Sequence, residues 1–225
     1  TYIGYSAGEG VSGGTTGSYN TFVGEKSGEE IGSGGYNTGL GSRSLKSNTT
    51  GAHNVAAGVY ALEENTTGTY NVAIGKEALE ANTTGSSNVA VGYQALTANT
   101  TGQYNIAIGY RSLYNVGTVS QNIAIGHQAG DSITTGTNNI IIGYTADASS
   151  ATVSNEITLG NSSVTKLRVP GLNVVAQAES FAIGGAIYEN AQSISADYSI
   201  TSGNNAMSAG PITIDSGVTV TVTSG

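Results

Sequence analysis

The chain has 225 residues, with 34 glycines, 2 prolines, no cysteine and no tryptophan, and only 10% of its residues are charged. Collagen is excluded, because its glycines fall at every third residue beside abundant proline, and so is ordinary disorder, which needs high net charge and low hydrophobicity. A net charge of −8, from 7 basic and 15 acidic residues, argues against a nucleic-acid partner, and no apolar run approaches the ~18 residues of a membrane span, so no membrane insertion is expected.

Asn, Thr and Ser supply about a third of the residues, a composition suited to many short strands joined by tight turns. Without cysteine there are neither disulfides nor thiolate metal sites. The chain opens on Thr1 with no charged-then-apolar leader, and it reads as a segment of a longer or processed polypeptide.

A repeat dominates the sequence. A first unit ends at Gly4 and the next at Gly24, 20 residues on, so the loop Gly8–Gly17 carries a three-residue insertion. From there Asn and Gly recur together every 17 residues: Asn20/Gly24, Asn37/Gly41, Asn54/Gly58, Asn71/Gly75, Asn88/Gly92, Asn105/Gly109, Asn122/Gly126 and Asn139/Gly143. The next step lands on Gly160, with Glu156 in place of Asn.

Most units read large-small-large before their Gly, as in Val72-Ala73-Ile74, Val89-Ala90-Val91 and Ile106-Ala107-Ile108. That period-2 alternation with a β-branched bias predicts a short strand with two faces. A second apolar point follows four residues after Gly, at Leu45, Leu62, Leu79, Leu96 and Leu113, and then comes an Asn-Thr-Thr-Gly turn at 48–51, 65–68, 82–85 and 99–102. Where that Leu becomes Gly28 or Gly130, an Ile appears three residues later, at Ile31 and Ile133, as packing of a shared core requires.

Only about seven residues separate each strand-ending Gly from the next turn, too few for a stable helix. The pattern therefore predicts an all-β parallel solenoid with two short strands and two turns per 17-residue coil, over residues 1–160. The large residues Val72, Ile74, Leu79, Val89, Val91, Leu96, Ile106, Ile108 and Leu113 are the expected core. The Asn column 20, 37, 54, 71, 88, 105, 122 and 139 is expected to form a ladder whose amides bond turn backbone in the coils above and below. One coil offers few large apolar side chains, so the flat column Ala73, Ala90, Ala107 and Ala124 is the candidate oligomer face, for two copies or three.

After Gly160 the repeat fades. Residues 161–175 read as a neck or linker with a turn at Pro170-Gly171. Residues 176–225 read as a small β domain of alternating strands, as in Ile194, Ala196, Tyr198 and Ile200, then Val218, Val220 and Val222.

These residues carry a resemblance. Tyr70-Asn71-Val72-Ala73-Ile74-Gly75, with its repeated Ala-Leu and Asn-Thr-Thr-Gly, resembles the head repeats of trimeric autotransporter adhesins, whose units are usually shorter. The longer repeat is more similar to bacteriophage tail fibres, cyanophages among them, through Ile157-Thr158-Leu159-Gly160-Asn161-Ser162-Ser163-Val164-Thr165 and Leu167-Arg168-Val169-Pro170-Gly171-Leu172. Residues 200–211 and 218–222 resemble a module near the ends of phage structural proteins. The resemblance implies a homotrimer in a virion, with other tail or virion proteins as partners and a host surface glycan as a receptor.

Sites of chemistry are sparse. Gly8, Gly10 and Gly13 spell Gly-x-Gly-x-x-Gly, but Gly14-Thr15-Thr16-Gly17 follows instead of a helix, so a loop is expected rather than a phosphate cradle. His53 and His127 stand at different repeat positions about four coils apart, roughly 20 Å at ~4.8 Å per coil, too far to share a metal. Glu29-Glu30, Glu63-Glu64, Glu77 and Glu80 read as a solvated acidic face, without the Asp-rich spacing of a Ca²⁺ loop. The sequons at Asn48, Asn65, Asn82, Asn99 and Asn161 are accounted for by turn chemistry, and the paired Thr residues span too few coils for an ice-binding face. Tyr19, Tyr36, Tyr70 and Tyr104 precede the Asn column and Tyr93, Tyr110 and Tyr144 follow the Gly; cross-coil stacking is the favoured reading, with sugar stacking as the alternative.

The expectation is a non-enzymatic, cofactor-free, metal-free segment of a trimeric viral tail fibre or virion appendage, acting as a stiff spacer and in host attachment. The head of a bacterial surface adhesin is the alternative, and a polysaccharide-cleaving tail spike the third.

Overall fold

A computed structural model describes residues 1–11, 14 and 16–165 in full, and beyond them only the backbone of six short strands between Ile187 and Val222. The chain divides into two units, Thr1–Leu167 and Arg168–Gly225.

The first unit is a parallel β-solenoid. After Tyr2–Ile3 (β1), nine three-residue strands follow: Thr21–Val23 (β2), Thr38–Leu40 (β3), Val55–Ala57 (β4), Val72–Ile74 (β5), Val89–Val91 (β6), Ile106–Ile108 (β7), Ile123–Ile125 (β8), Ile140–Ile142 (β9) and Ile157–Leu159 (β10). They form one sheet in sequence order, each residue pairing with the one 17 positions on, such as Val72↔Val89 and Ala73↔Ala90. Nine steps of ~4.8 Å make the stack about 43 Å long. Its insertion in the first coil appears as Tyr2↔Phe22, a step of 20.

Each coil contributes one strand to this ladder, not the two expected. The segment after each Gly is a run of turns because the second apolar column is left-handed: Leu45, Leu62, Leu79, Leu96 and Leu113 have φ of +48° to +55°. Its donors alternate in direction. Glu77 donates back to the Val59 carbonyl at 2.9 Å, and Leu79 donates forward to the Ala95 carbonyl at 3.0 Å. Both groups are satisfied between coils, which offsets the ~1–2 kcal/mol that a left-handed L-residue costs.

Burial reverses the two sides of the strand. The small central residues Ala56, Ala73, Ala90, Ala107 and Ala124 are wholly buried, together with the Leu column. Val72, Val89, Val91 and Ile106 are half-buried, and Ile74 and Ile108 are 43% and 38% exposed. Of the expected core, Leu79, Leu96 and Leu113 lie inside; Val72, Ile74, Val89, Val91, Ile106 and Ile108 face outward. Ala73, Ala90, Ala107 and Ala124, assigned to an oligomer face, line the interior instead. The reason is width: the inside of one coil has room for a Leu opposite an Ala.

Exceptions obey the same rule. A Cβ on Gly28 would stand 2.5 Å from the Phe22 ring, and one on Gly130 would stand 3.0 Å from Ile141 Cδ1. Phe22 and Ile141 occupy the Ala column, so each large residue there accompanies a Gly in the Leu column. Ile31 and Ile133 are also fully buried.

In the second unit, Ile187–Tyr188 (β11) pairs with Ala206–Met207 (β14), Ser193–Ile194 (β12) with Thr213–Ile214 (β15), and Tyr198–Ile200 (β13) with Val220–Val222 (β16), all parallel. The Pro170-Gly171 turn, Ala196 and Val218 lie outside the described residues.

Candidate functional surface

Two buried asparagine ladders hold the coils in register. In the column before the strands, Asn71 donates its backbone N–H to Asn54 Oδ1 at 2.9 Å and its Nδ2 to the Gly85 carbonyl at 2.8 Å. The pattern recurs from Asn37 to Asn139, and Asn20 starts it by donating to Gly34 and accepting from Asn37. The second ladder runs through the Asn-Thr-Thr-Gly turns, beyond the expected one. Asn65, Asn82 and Asn99 each donate Nδ2 to the Oδ1 of the preceding rung at 2.7–2.8 Å. The Asn-Thr-Thr-Gly period was its signal. These amides, like Asn48, are wholly buried, so four of the five sequons are closed to modification in the folded chain.

The outward surface of the sheet consists of the two flanking strand columns, including Val55, Val72, Ile74, Ile106, Ile108, Ile123 and Ile125. Among the described residues no charged side chain interrupts either column between Thr21 and Leu159. A contiguous apolar strip this long is unusual on a lone soluble chain.

Aromatic stacks border it. Tyr19, Tyr36, His53 and Tyr70 stack with centroids 4.8, 4.9 and 4.9 Å apart. Tyr93, Tyr110, His127 and Tyr144 form a second stack at 5.5, 4.8 and 5.1 Å. Both histidines are thus ring members of separate stacks, not neighbours of one another. Lys76 Nζ lies 5.5 Å from the Tyr93 ring, a cation–π contact closing that end of the second stack.

Carboxylates respond to their own surroundings. Burial, then the nearby charges of Glu77, Glu63 and Glu64, push the Glu80 carboxyl above its ordinary range. Asp131 is raised by burial and then by Asp147. Lys76 and Gln94, which hydrogen-bond Glu77, hold it below its ordinary range. Glu63 pairs with Arg43 at 2.9 Å. Among the described residues no three His, Asp or Glu side chains come together as metal ligands. Gly8 and Gly10 have positive φ, Gly8 lies against Tyr2, and no helix follows among the described residues; Gly13 lies outside them.

The chain matches no family model, no curated protein and no solved structure.

The surface thus combines a stiff axial hydrogen-bond lattice, an apolar strip and exposed ring stacks.

Proposed function

We propose that this segment is a stiff spacer of a homotrimeric viral tail fibre or virion appendage, one that also takes part in attachment to a host surface glycan. The outward Val/Ile strip carries the reading. Side chains of this kind, half-exposed over the length of the solenoid, gain ~25 cal/mol for each Å² they remove from water. Packing against further copies of the same strip buries them. Stiffness comes from backbone hydrogen bonds running along the axis in every coil, so that bending or stretching must open many of them together. The number three, and the place in a virion, rest on the sequence resemblance. So does the company of other tail or virion proteins. The reading includes no catalytic step, metal or cofactor.

Immunogold labelling of purified phage particles, with antibodies raised against this chain, is the test. Label along a tail appendage is expected. Label on a bacterial outer surface, with none on particles, assigns the chain to an adhesin and overturns the reading.

A further inference from the structure

The first aromatic stack has a missing rung. Its column runs Tyr36, His53, Tyr70, Ser87, Tyr104 and Gln121, one residue per coil, all with φ between +58° and +65°, so each side chain leaves the backbone in the same direction. Rings follow at 4.9 Å from Tyr36 to His53 and from His53 to Tyr70. At Ser87 the next ring is replaced by a hydroxymethyl group. Tyr104 then stands two coils beyond Tyr70, about 9.6 Å away at ~4.8 Å per coil. Tyr70 and Tyr104 are 61% and 59% exposed.

We propose that the gap over Ser87, between Tyr70 and Tyr104, binds one neutral hexopyranose unit of a glycan. A gap of two rungs admits one ring-thick group between the two tyrosines. A pyranose has that thickness and presents C–H groups on both faces, which pack on aromatic rings, while its hydroxyls point outward from the ring edge. The surroundings match those hydroxyls. The segments Thr66–Tyr70, Thr83–Ser87 and Thr100–Tyr104 contain hydroxyl and amide side chains and no Asp, Glu, Lys or Arg. A charged sugar or a phosphate finds no counter-ion there, and an aromatic side chain leaves the polar rim unpaired. The floor is fixed, because Ser86 Oγ accepts the Thr69 N–H at 3.0 Å. The other stack has no such gap: its four rings are continuous and Lys76 covers the Tyr93 end. The proposal deepens the attachment role and rests on it for the source of the glycan.

Saturation-transfer NMR on the whole chain tests it, with methyl β-D-glucopyranoside, methyl β-D-galactopyranoside and methyl α-D-mannopyranoside as probes and p-cresol as the aromatic comparison. The parent is expected to bind at least one glycoside saturably. Tyr70→Ala and Ser87→Tyr are each expected to weaken that binding by about tenfold or more. Ser87→Tyr restores the missing rung and is expected to melt no lower than the parent, which separates loss of the slot from loss of the fold. The proposal is overturned if no glycoside binds, if binding survives Ser87→Tyr, or if p-cresol alone is bound and expelled by that substitution. Light scattering on the same samples keeps the two readings apart: an assembled parent that ignores all three sugars removes the slot and leaves the appendage standing.

Discussion

Asn99 Oδ1 is buried without a hydrogen-bond partner, and the residue one coil on, where another asparagine would donate to it, is Val116. The second ladder therefore ends on an orphaned acceptor. Removing Asn99 orphans Asn82 Oδ1 in its place, so the number of unpaired acceptors stays the same. Removing Asn82 orphans Asn65 Oδ1 and leaves the one on Asn99. Asn82→Ala is thus expected to cost more than Asn99→Ala by one buried unsatisfied group, about 1–3 kcal/mol. Chemical denaturation of both variants checks the order.

Glycine is required at the strand end but dispensable at Gly117. Gly75 has φ +129°, and a Cβ there would stand 2.5 Å from the Gly92 carbonyl oxygen of the next coil. Gly75→Ala combines backbone strain with that clash and is expected to destabilise by at least ~1–3 kcal/mol. A Cβ on Gly117 would meet nothing within 4 Å, and its φ is not positive. Gly117→Ala is expected to be neutral or to stabilise by up to about 1 kcal/mol through the unfolded chain. Paired thermal melts distinguish them.

Acid groups give a pH dependence of definite sign. Glu80 is raised in the folded chain, so between its ordinary range and its raised value the folded state holds more proton than the unfolded state. Stability contributed by Glu80 is therefore lost as pH rises through that window. Glu80→Gln removes the charge, and it is expected to raise the melting temperature at about pH 8 while changing it little at about pH 4. Glu77 acts oppositely, losing its contribution as pH falls, but it is a solvent-screened pair with Lys76 and contributes little.

Period, register and the strand column were legible in the sequence because the Asn/Gly spacing is strict. So was the first asparagine ladder, since a buried amide repeated at one position has few other partners. Which side of the strand faces in was not legible by counting large apolar residues as core. In a coil this narrow, Leu79 fills the space and the strand must present Ala73 to it. Three pairs held the clue: Tyr2 with Gly8, Phe22 with Gly28, and Ile141 with Gly130 show that the middle strand position trades volume with the Leu position. The single strand per coil was hidden for a different reason. Left-handed leucine is locally unfavourable, and it is held there by burial of its side chain and by hydrogen bonds to neighbouring coils.

The strands turn their small residues inward, and we propose that their Val/Ile columns pack against other copies of the chain. Light scattering of the parent, Ile108→Asp and Ala107→Asp, with circular dichroism on each, tests it most directly. The parent is expected to have three times the 22.5 kDa chain mass. Ile108→Asp is expected to keep its β signal but lose assembly, and Ala107→Asp to lose the fold, because an unpaired charge in the apolar interior costs several kcal/mol. A parent that is a stable, folded monomer at micromolar concentration, or an Ile108→Asp variant that assembles like the parent, would contradict the account.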